Sequence, residues 1–257
     1  MKIDFHCHTS LSYDGFSSYE GLAKAAEIKE IDVIFITEHD RITARREMIS
    51  HIENTTFIKG CEYTTQNGAH VIGLFIDKEL SKKNNTYQDV FRHIKDHGGL
   101  ISIPHPFKPG SGLFSVENNF EDLNLEDVDL IELYNGGYKE SDIERNSVIQ
   151  LAKKNNIKVI GSSDAHKEVQ LGYYVTSYDT ESKNIKDLIK NYQGEILHDS
   201  SFKSSPRKIK KIQKNSFFIF FRNLIKFKYR MIIKRFFYFF KNKKIYSPIY
   251  ILKYSND

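Results

Sequence analysis

Across residues 1–200, short continuous apolar runs alternate with longer stretches in which apolar positions recur every third or fourth residue. Val33-Ile34-Phe35-Ile36 reads as a strand covered on both faces, and Leu100-Ile101-Ser102-Ile103, Val128 to Leu133 and Lys158 to Gly161 read as strands too. Further strands are expected at Lys2–Phe5, Phe57–Glu62, Ala69–Ile76, Tyr173–Tyr178 and Glu195–Leu197, with a hairpin turn at Gln66-Asn67-Gly68. The 3.6-residue stretches predict a helix from Ser17 or Ser18 through Glu30, with Glu20 placed to close a capping box on Ser17. Others are predicted from about Thr43 to Ile52, Thr86 to His97 with an exit at Gly98-Gly99, Ser141 to Asn155, and Lys183 to Tyr192. Strand and helix alternate without any sequence repeat, which argues for a parallel barrel or doubly wound α/β sheet.

Length and composition suit that picture. A chain of 257 residues, 40% hydrophobic and 28% charged, can form one soluble α/β barrel. The net charge of +5 hides a division. Residues 203–257 hold 16 Lys and Arg against one acid, Asp257, leaving 22 basic and 32 acidic residues before them, a net of −10. Two parts follow: an acidic barrel over 1–200 and a basic, aromatic helical extension over 201–257. Cys7 and Cys61 flank polar strand ends, so alternation turns them away as buried thiols and no disulfide is expected. The start carries no secretory pattern, and a cytoplasmic protein is expected.

The chemistry gathers at the strand ends. Residues two apart in a strand share a face, so His6 and His8 leave the first strand together. Later strands end in His39, Glu62, His105, and Asp164 with His166, and loop Asp14 and hairpin His70 join them. Any one of these is most often an ordinary polar residue. Nine converging on one barrel face would be electrostatically untenable without cations. The mixture of imidazole and carboxylate suits Zn²⁺, Mn²⁺ or Fe²⁺, and the count fits two or three ions. His51, His93, His97 and His198 follow no strand-end pattern.

His6-Cys-His8-Thr, Asp14-Gly15, Thr37-Glu38-His39-Asp40, Gly60-Cys61-Glu62, His70, Pro104-His105-Pro106 and Ser163-Asp164-Ala165-His166 resemble, together and in order, the motifs of the PHP (polymerase and histidinol phosphatase) family. The resemblance runs from about Met1 to Leu197. It implies a distorted (β/α)7 TIM-like barrel, a trinuclear metal site and phosphoesterase activity. On that resemblance one ion takes His6, His8, Glu62 and Asp164; a second shares Glu62 and adds His70 and His105; the third takes Asp14, His39 and His166. No ligand position is vacant, which speaks against an inactive member.

In such a site two ions bridge a hydroxide in line with phosphorus and the third binds a phosphate oxygen. Asp40 and His166 are the candidates to protonate the leaving oxygen, and Asp4 and Asn135 to orient ligands. Arg41, Lys108, Arg145 and Lys167 are the candidate phosphate clamps. The expected substrate is a small phosphorylated compound or nucleotide. A 5′-to-3′ exonuclease or nucleotide phosphatase is the second reading, and a membrane- or partner-binding protein with structural metal the third. In the extension, Arg222, Lys226, Arg230 and Lys234 recur every four residues among phenylalanines, with no apolar run long enough to span a bilayer. That pattern predicts an interfacial helix on an anionic membrane surface, peripheral at the inner face, ahead of nucleic-acid binding or packing on the barrel.

Overall fold

The computed structural model describes residues 1–43, 47–81, 85–117, 120–179, 182 and 184–199, and the backbone of 251–253. Its strands are β1 (Lys2–Cys7), β2 (Val33–His39), β3 (Ile49–Ile52), β4 (Thr55–Thr64), β5 (His70–Leu74), β6 (Leu100–Ile103), β7 (Val128–Asn135), β8 (Lys158–Ser162), β9 (Tyr174–Ser177), β10 (Glu195–Asp199) and β11 (Ile251–Lys253). The α-helices are α1 (Tyr19–Lys29), α2 (Tyr87–Asp96), α3 (Leu113–Val116), α4 (Asp142–Asn155) and α5 (Ile185–Asn191).

The strands form one sheet in the order β11-β10-β9-β1-β2-β4-β5-β6-β7-β8, with β3 attached to β4. Ala165, just past β8, bridges Cys7 at the end of β1, and its carbonyl accepts the His8 N–H at 2.8 Å. This contact curls the sheet into a nearly closed barrel. The regular alternation of a (β/α)7 barrel is broken in several places, and β9 and β10 add antiparallel strands beside β1. β5 runs antiparallel to both β4 and β6, so a hairpin stands where a strand–helix unit would. The helix expected up to Ile52 gives way over Ile49–Ile52 to β3, which pairs antiparallel with β4 across the turn Glu53-Asn54, Glu53 lying at φ 53°. Ile49 to Ile52 alternates exposed and inward positions, and the short run is better satisfied by a ladder than by one turn of helix.

Helix starts follow local chemistry. Ser18 caps α1 by accepting the Gly21 N–H, so the cap falls one residue after the Ser17 that the capping-box spacing suggested. Thr86 with Asp89, and Ser141 with Glu144, form complete capping boxes on α2 and α4. Inside the barrel, Ile3, Phe5, Val33, Phe35, Leu130 and Ile160 pack together, with Phe5 stacked on Phe35 at 5.4 Å. Leu188 and Ile189 of α5 join that cluster. Outside, α1 packs on Ile34 and Ile36, while α2 and α4 cover Ile101, Ile131 and Leu133.

A β-bulge between Asp4 and Cys7 resets the parity of β1. Ile3 and Phe5 belong to the inner cluster, whereas Cys7 belongs to the outer one under α1. The extra residue lets His6 follow Phe5 inward. A second register shift, between Glu132 and Tyr134, does the same at the end of β7. Cys7 and Cys61 are buried free thiols.

Contacts divide the chain into a unit of Met1–Phe202 with Pro248–Asp257 and a unit of Lys203–Ser247. Residues 201–250, where the basic helical extension is expected, lie outside the described residues. Ile251–Lys253 is a strand against β10, so the extension is not helical there. Among the described residues no helix is long and apolar enough to cross a membrane.

Candidate metal centre at the barrel mouth

The strand ends deliver the nine residues to one place. His6 and His8 come from β1, His39 from β2, Glu62 from β4 and His70 from the start of the reversed strand β5. His105 follows β6, and Asp164 and His166 follow β8. His105 (φ 30°) and Asp164 (φ 48°) hold left-handed backbone, a strain of about 1–3 kcal/mol each that clusters at functional sites. Asp14 arrives on the loop after β1. Gly15 makes that turn possible, since a Cβ there would lie 1.9 Å from the Thr9 carbonyl oxygen. Gly137 likewise leaves room for Asp164, whose Oδ2 would be 2.3 Å from an added Cβ.

Glu62 is the hub. Its Oε1 lies 2.7 Å from His70 Nδ1 and 3.0 Å from His105 Nε2. Its Oε2 lies 3.1 Å from His39 Nδ1 and 3.3 Å from Nε2 of both His6 and His8. Asp164 Oδ1 stands 3.4 Å from His6 Nε2 and 3.6 Å from His8 Nε2. Asp14 closes the outer side, with Oδ2 3.1 Å from His166 Nε2 and Oδ1 3.6 Å from His39 Nε2. His6, His8, Glu62, His105 and Asp164 are buried, and His39, His70, His166 and Asp14 form the more open rim.

The proton positions decide what this cluster is for. His6 Nδ1 donates to Glu132 Oε1 at 2.9 Å, and His166 Nδ1 to the Asp164 carbonyl at 2.9 Å. His8 Nδ1 donates to Ser12 Oγ at 3.2 Å, because the Ser12 hydroxyl proton is already given to Glu38. Each of these three imidazoles therefore turns Nε2 toward the cluster. His6 and His8 Nε2 meet at 3.0 Å. Around that gap stand two imidazole nitrogens, Glu62 Oε2 and Asp164 Oδ1, all acceptors once the Nδ1 protons are placed. One proton can satisfy a single pair among them, and Glu62 Oε2 has no hydrogen-bond partner. Donor atoms around a tetrahedral Zn²⁺ at ~2.1 Å lie ~3.4 Å apart. The spacings of 3.0–3.6 Å match that edge length.

Charge tells the same story. Burial disfavours charge on His6, yet Asp164, Glu62 and Glu132 hold its imidazole well above the usual range. His39, against the same desolvation, is raised to about 9 by Glu62 and Asp14. Burial and the Lys108 ammonium push His105 down to about 4. Burial also works against ionisation of Glu62, but His70, His6 and His39 keep its carboxyl well below the usual range. The site is a concentrated negative field suited to cations.

A layer of supporting residues surrounds the cluster. Glu132, buried in the middle of β7, holds His6 through Oε1, while its Oε2 accepts the His105 N–H at 2.7 Å and Asn135 Nδ2 at 2.6 Å. Its signal was a carboxylate set between Ile131 and Leu133 in the strand. Glu38 accepts from Thr9 and Ser12 and so fixes the loop carrying Asp14. Asn135 acts through Glu132, and Asp4 accepts the backbone N–H groups of His6, Ser163 and Gly172 and no imidazole. Lys108 reaches the cluster, its Nζ 3.3 Å from Asp164 Oδ2. Lys167 Nζ lies over the Phe16 ring at 5.7 Å, and Arg41 is exposed. Arg145 lines a separate cleft of about 220 Å³ with Tyr134, Tyr174 and His198, bonded to Asp142 and to the Glu140 carbonyl. Asp40 Oδ1 accepts the Thr64 N–H at 2.7 Å. His51, His93 and His97 bond Thr56, the Lys78 carbonyl and the His93 carbonyl, away from the cluster.

Comparison with known proteins agrees with this fold. Residues 142–194 match the family model described as PHP-associated. An uncharacterized protein of Methanocaldococcus jannaschii, MJ1587, is 29% identical over 165 residues, covering 58% of this chain and 92% of that protein. Among solved structures, PsfC of Pseudomonas syringae superposes with a TM-score of 0.58 at 18% identity, over 78% of this chain and 92% of its own. A two-domain Bacteroides vulgatus protein containing a predicted PHP-like metal-dependent phosphoesterase gives 0.55 at 20% identity, over 76% of this chain and 64% of that one. The lesion-specific endonuclease PfuEndoQ of Pyrococcus furiosus gives 0.56 at 17%, over 76% and 57%. The chain thus spans less than two thirds of the Bacteroides and Pyrococcus proteins. Residues 142–194 are thus similar to the PHP-associated model, and the barrel is similar in fold to the PHP-like Bacteroides vulgatus protein.

Proposed function

We propose that the chain is a metal-dependent phosphoesterase that hydrolyses a phosphate monoester at the barrel mouth. The observation that carries the reading is the gap where the His6 and His8 Nε2 atoms, 3.0 Å apart, face Asp164 Oδ1 and a Glu62 Oε2 that has no hydrogen-bond partner. His6, His8, Glu62 and Asp164 would hold one ion; Glu62, His70 and His105 a second; Asp14, His39 and His166 a third. Bound Mn²⁺, Zn²⁺ or Fe²⁺ supplies Lewis acidity toward water and toward the phosphoryl oxygens.

The chain's own residues do the rest. Glu132 and Ser12 hold Nδ1 of His6 and His8 as the donor, which leaves Nε2 of each ring as the nitrogen that would face an ion. Lys108 adds a fixed positive charge beside Asp164, and Asp164 and Glu62 hold its ammonium above the usual range against the cost of burial. That charge is placed to attract a phosphoryl group and to oppose the negative charge that grows on it. Burial of the inner five residues keeps bulk water from screening these charges.

The test pairs elemental analysis with turnover of an aryl phosphate in added Mn²⁺. Metal near two or three equivalents and turnover lost in Glu62→Gln are expected. Full metal content with no turnover across a panel of phosphomonoesters would leave a structural metal site and refute the enzyme reading.

A further inference from the structure

The loop that brings Asp14 to the cluster also carries two of the exposed large hydrophobic side chains, Leu11 at 39% and Tyr13 at 59% exposure. A single exposed aromatic is ordinary on a protein surface. This one is placed with care. Its ring stacks on His39 at 4.9 Å with an interplanar angle of 25°, and His39 belongs to the open rim of the cluster. The next residue, Asp14, pairs with both His39 and His166. The loop has little freedom to withdraw the ring. Ser10 N–H donates to the Ser17 carbonyl, Ser12 to Thr9, Gly15 to Ser12 and Phe16 to His166. Gly15 is pressed so closely on Thr9 that a side chain there would collide with the backbone.

The geometry points to Tyr13 as a specificity-determining residue: its outer face is a stacking surface for a planar, aromatic leaving group on the phosphoester. This rests on the phosphoesterase reading and names the substrate class it takes. A phosphoryl group drawn to the ions and Lys108 must send its leaving group out over the rim, where Tyr13 stands. A rigid, preoriented ring loses little entropy when a second ring lies on it, and base-on-aromatic stacking tolerates any planar group. A nucleoside and a simple aryl alcohol share that chemistry.

Four substrates separate the cases in the metal-loaded full chain: adenosine 5′-phosphate, p-nitrophenyl phosphate, ribose 5-phosphate and glycerol phosphate. The variants are Tyr13→Phe and Tyr13→Leu, with metal content and Tm measured for each. Tyr13→Leu is expected to lower kcat/KM for the two aromatic esters by roughly 5- to 150-fold, mainly through KM, and to leave the two aliphatic esters unchanged. Tyr13→Phe is expected to behave as wild type. If only p-nitrophenyl phosphate responds, the ring reads aryl groups; if both do, it reads nucleobases as well. An equal fall on all four substrates, or a loss of metal, would make Tyr13 a prop for His39 and overturn the inference, as would no change on any. Wild-type protein inert toward all four would overturn the phosphoesterase reading, and this inference with it.

Discussion

Glu132→Gln offers a sharp test of the proton-placement argument because it changes charge and almost no volume. The carboxylate accepts three donors: His6 Nδ1–H, His105 N–H and Asn135 Nδ2–H, all buried. A glutamine has one oxygen and one NH₂ at the same positions. If the oxygen serves His105 and Asn135, the NH₂ meets His6 and drives the His6 proton from Nδ1 to Nε2, into the gap facing His8. If the amide is turned round, a donor faces two donors. Either outcome works against an ion between His6 and His8. Outer-shell partners of this kind alter metal affinity by about 10- to 100-fold, or about 1.4–2.8 kcal/mol. The assay is competition against a chelator of known affinity, with thermal unfolding at saturating and zero metal. The expected result is a dissociation constant raised within that range and a smaller metal-induced rise in Tm. Wild-type affinity in Glu132→Gln would refute the claim that His6 is held in one tautomer for a cation.

The other predictions are local. Gly137→Ala places a Cβ 2.3 Å from Asp164 Oδ2. It should weaken metal binding by about 10-fold or more while the metal-free Tm falls less, which chelator competition and calorimetry would show. Ser141→Ala removes the α4 N-cap and its capping box. A loss of about 1 kcal/mol in urea unfolding is expected, with metal affinity unchanged. Glu140 is buried, Oε1 lacks a partner among the described residues, and burial with Glu132 and Glu144 nearby raises its carboxyl to about 9. The folded state keeps this proton where the unfolded chain releases it. Its contribution is therefore full below pH ~4.5 and is lost as pH rises toward 9, on the order of 3 kcal/mol by pH 7. Glu140→Gln should flatten the stability profile between pH 5 and 9, and parallel profiles for the two proteins would contradict the assignment.

Much of this architecture was legible because the signals were redundant. β6 follows a Gly-Gly exit and is a continuous apolar run, so Leu100–Ile103 emerges with the expected ends. Thr86 and Ser141 announce α2 and α4 by pairing with an acid three residues on. The pairing of His6 and His8 on one side of the first strand was legible because residues two apart share a face, an argument that needs only the period of two. That same period hid the parity changes. Nothing in Lys2 to His8 marks a bulge, which shows only in the register against β2, where Asp4 faces Ile34 and Cys7 faces Ile36. β3 was lost to a helix because four residues carry too little periodicity to decide, and its partner is what settles it. Glu132 could have been found by asking why a covered strand holds a carboxylate at all.

The reversal of β5 has one more consequence. Glu62 and His70 sit on adjacent strands of a hairpin, where Glu62 faces Ile72 and Thr64 faces His70 in the ladder. Their separation is set by backbone pairing, which changes only in whole-residue steps. Asp14 and His166 are instead carried by connecting segments whose lengths can drift. Over evolutionary time, then, insertions can remodel the Asp14 side of the mouth and so what it admits, while the Glu62–His70 side keeps its dimensions as a fixed gauge.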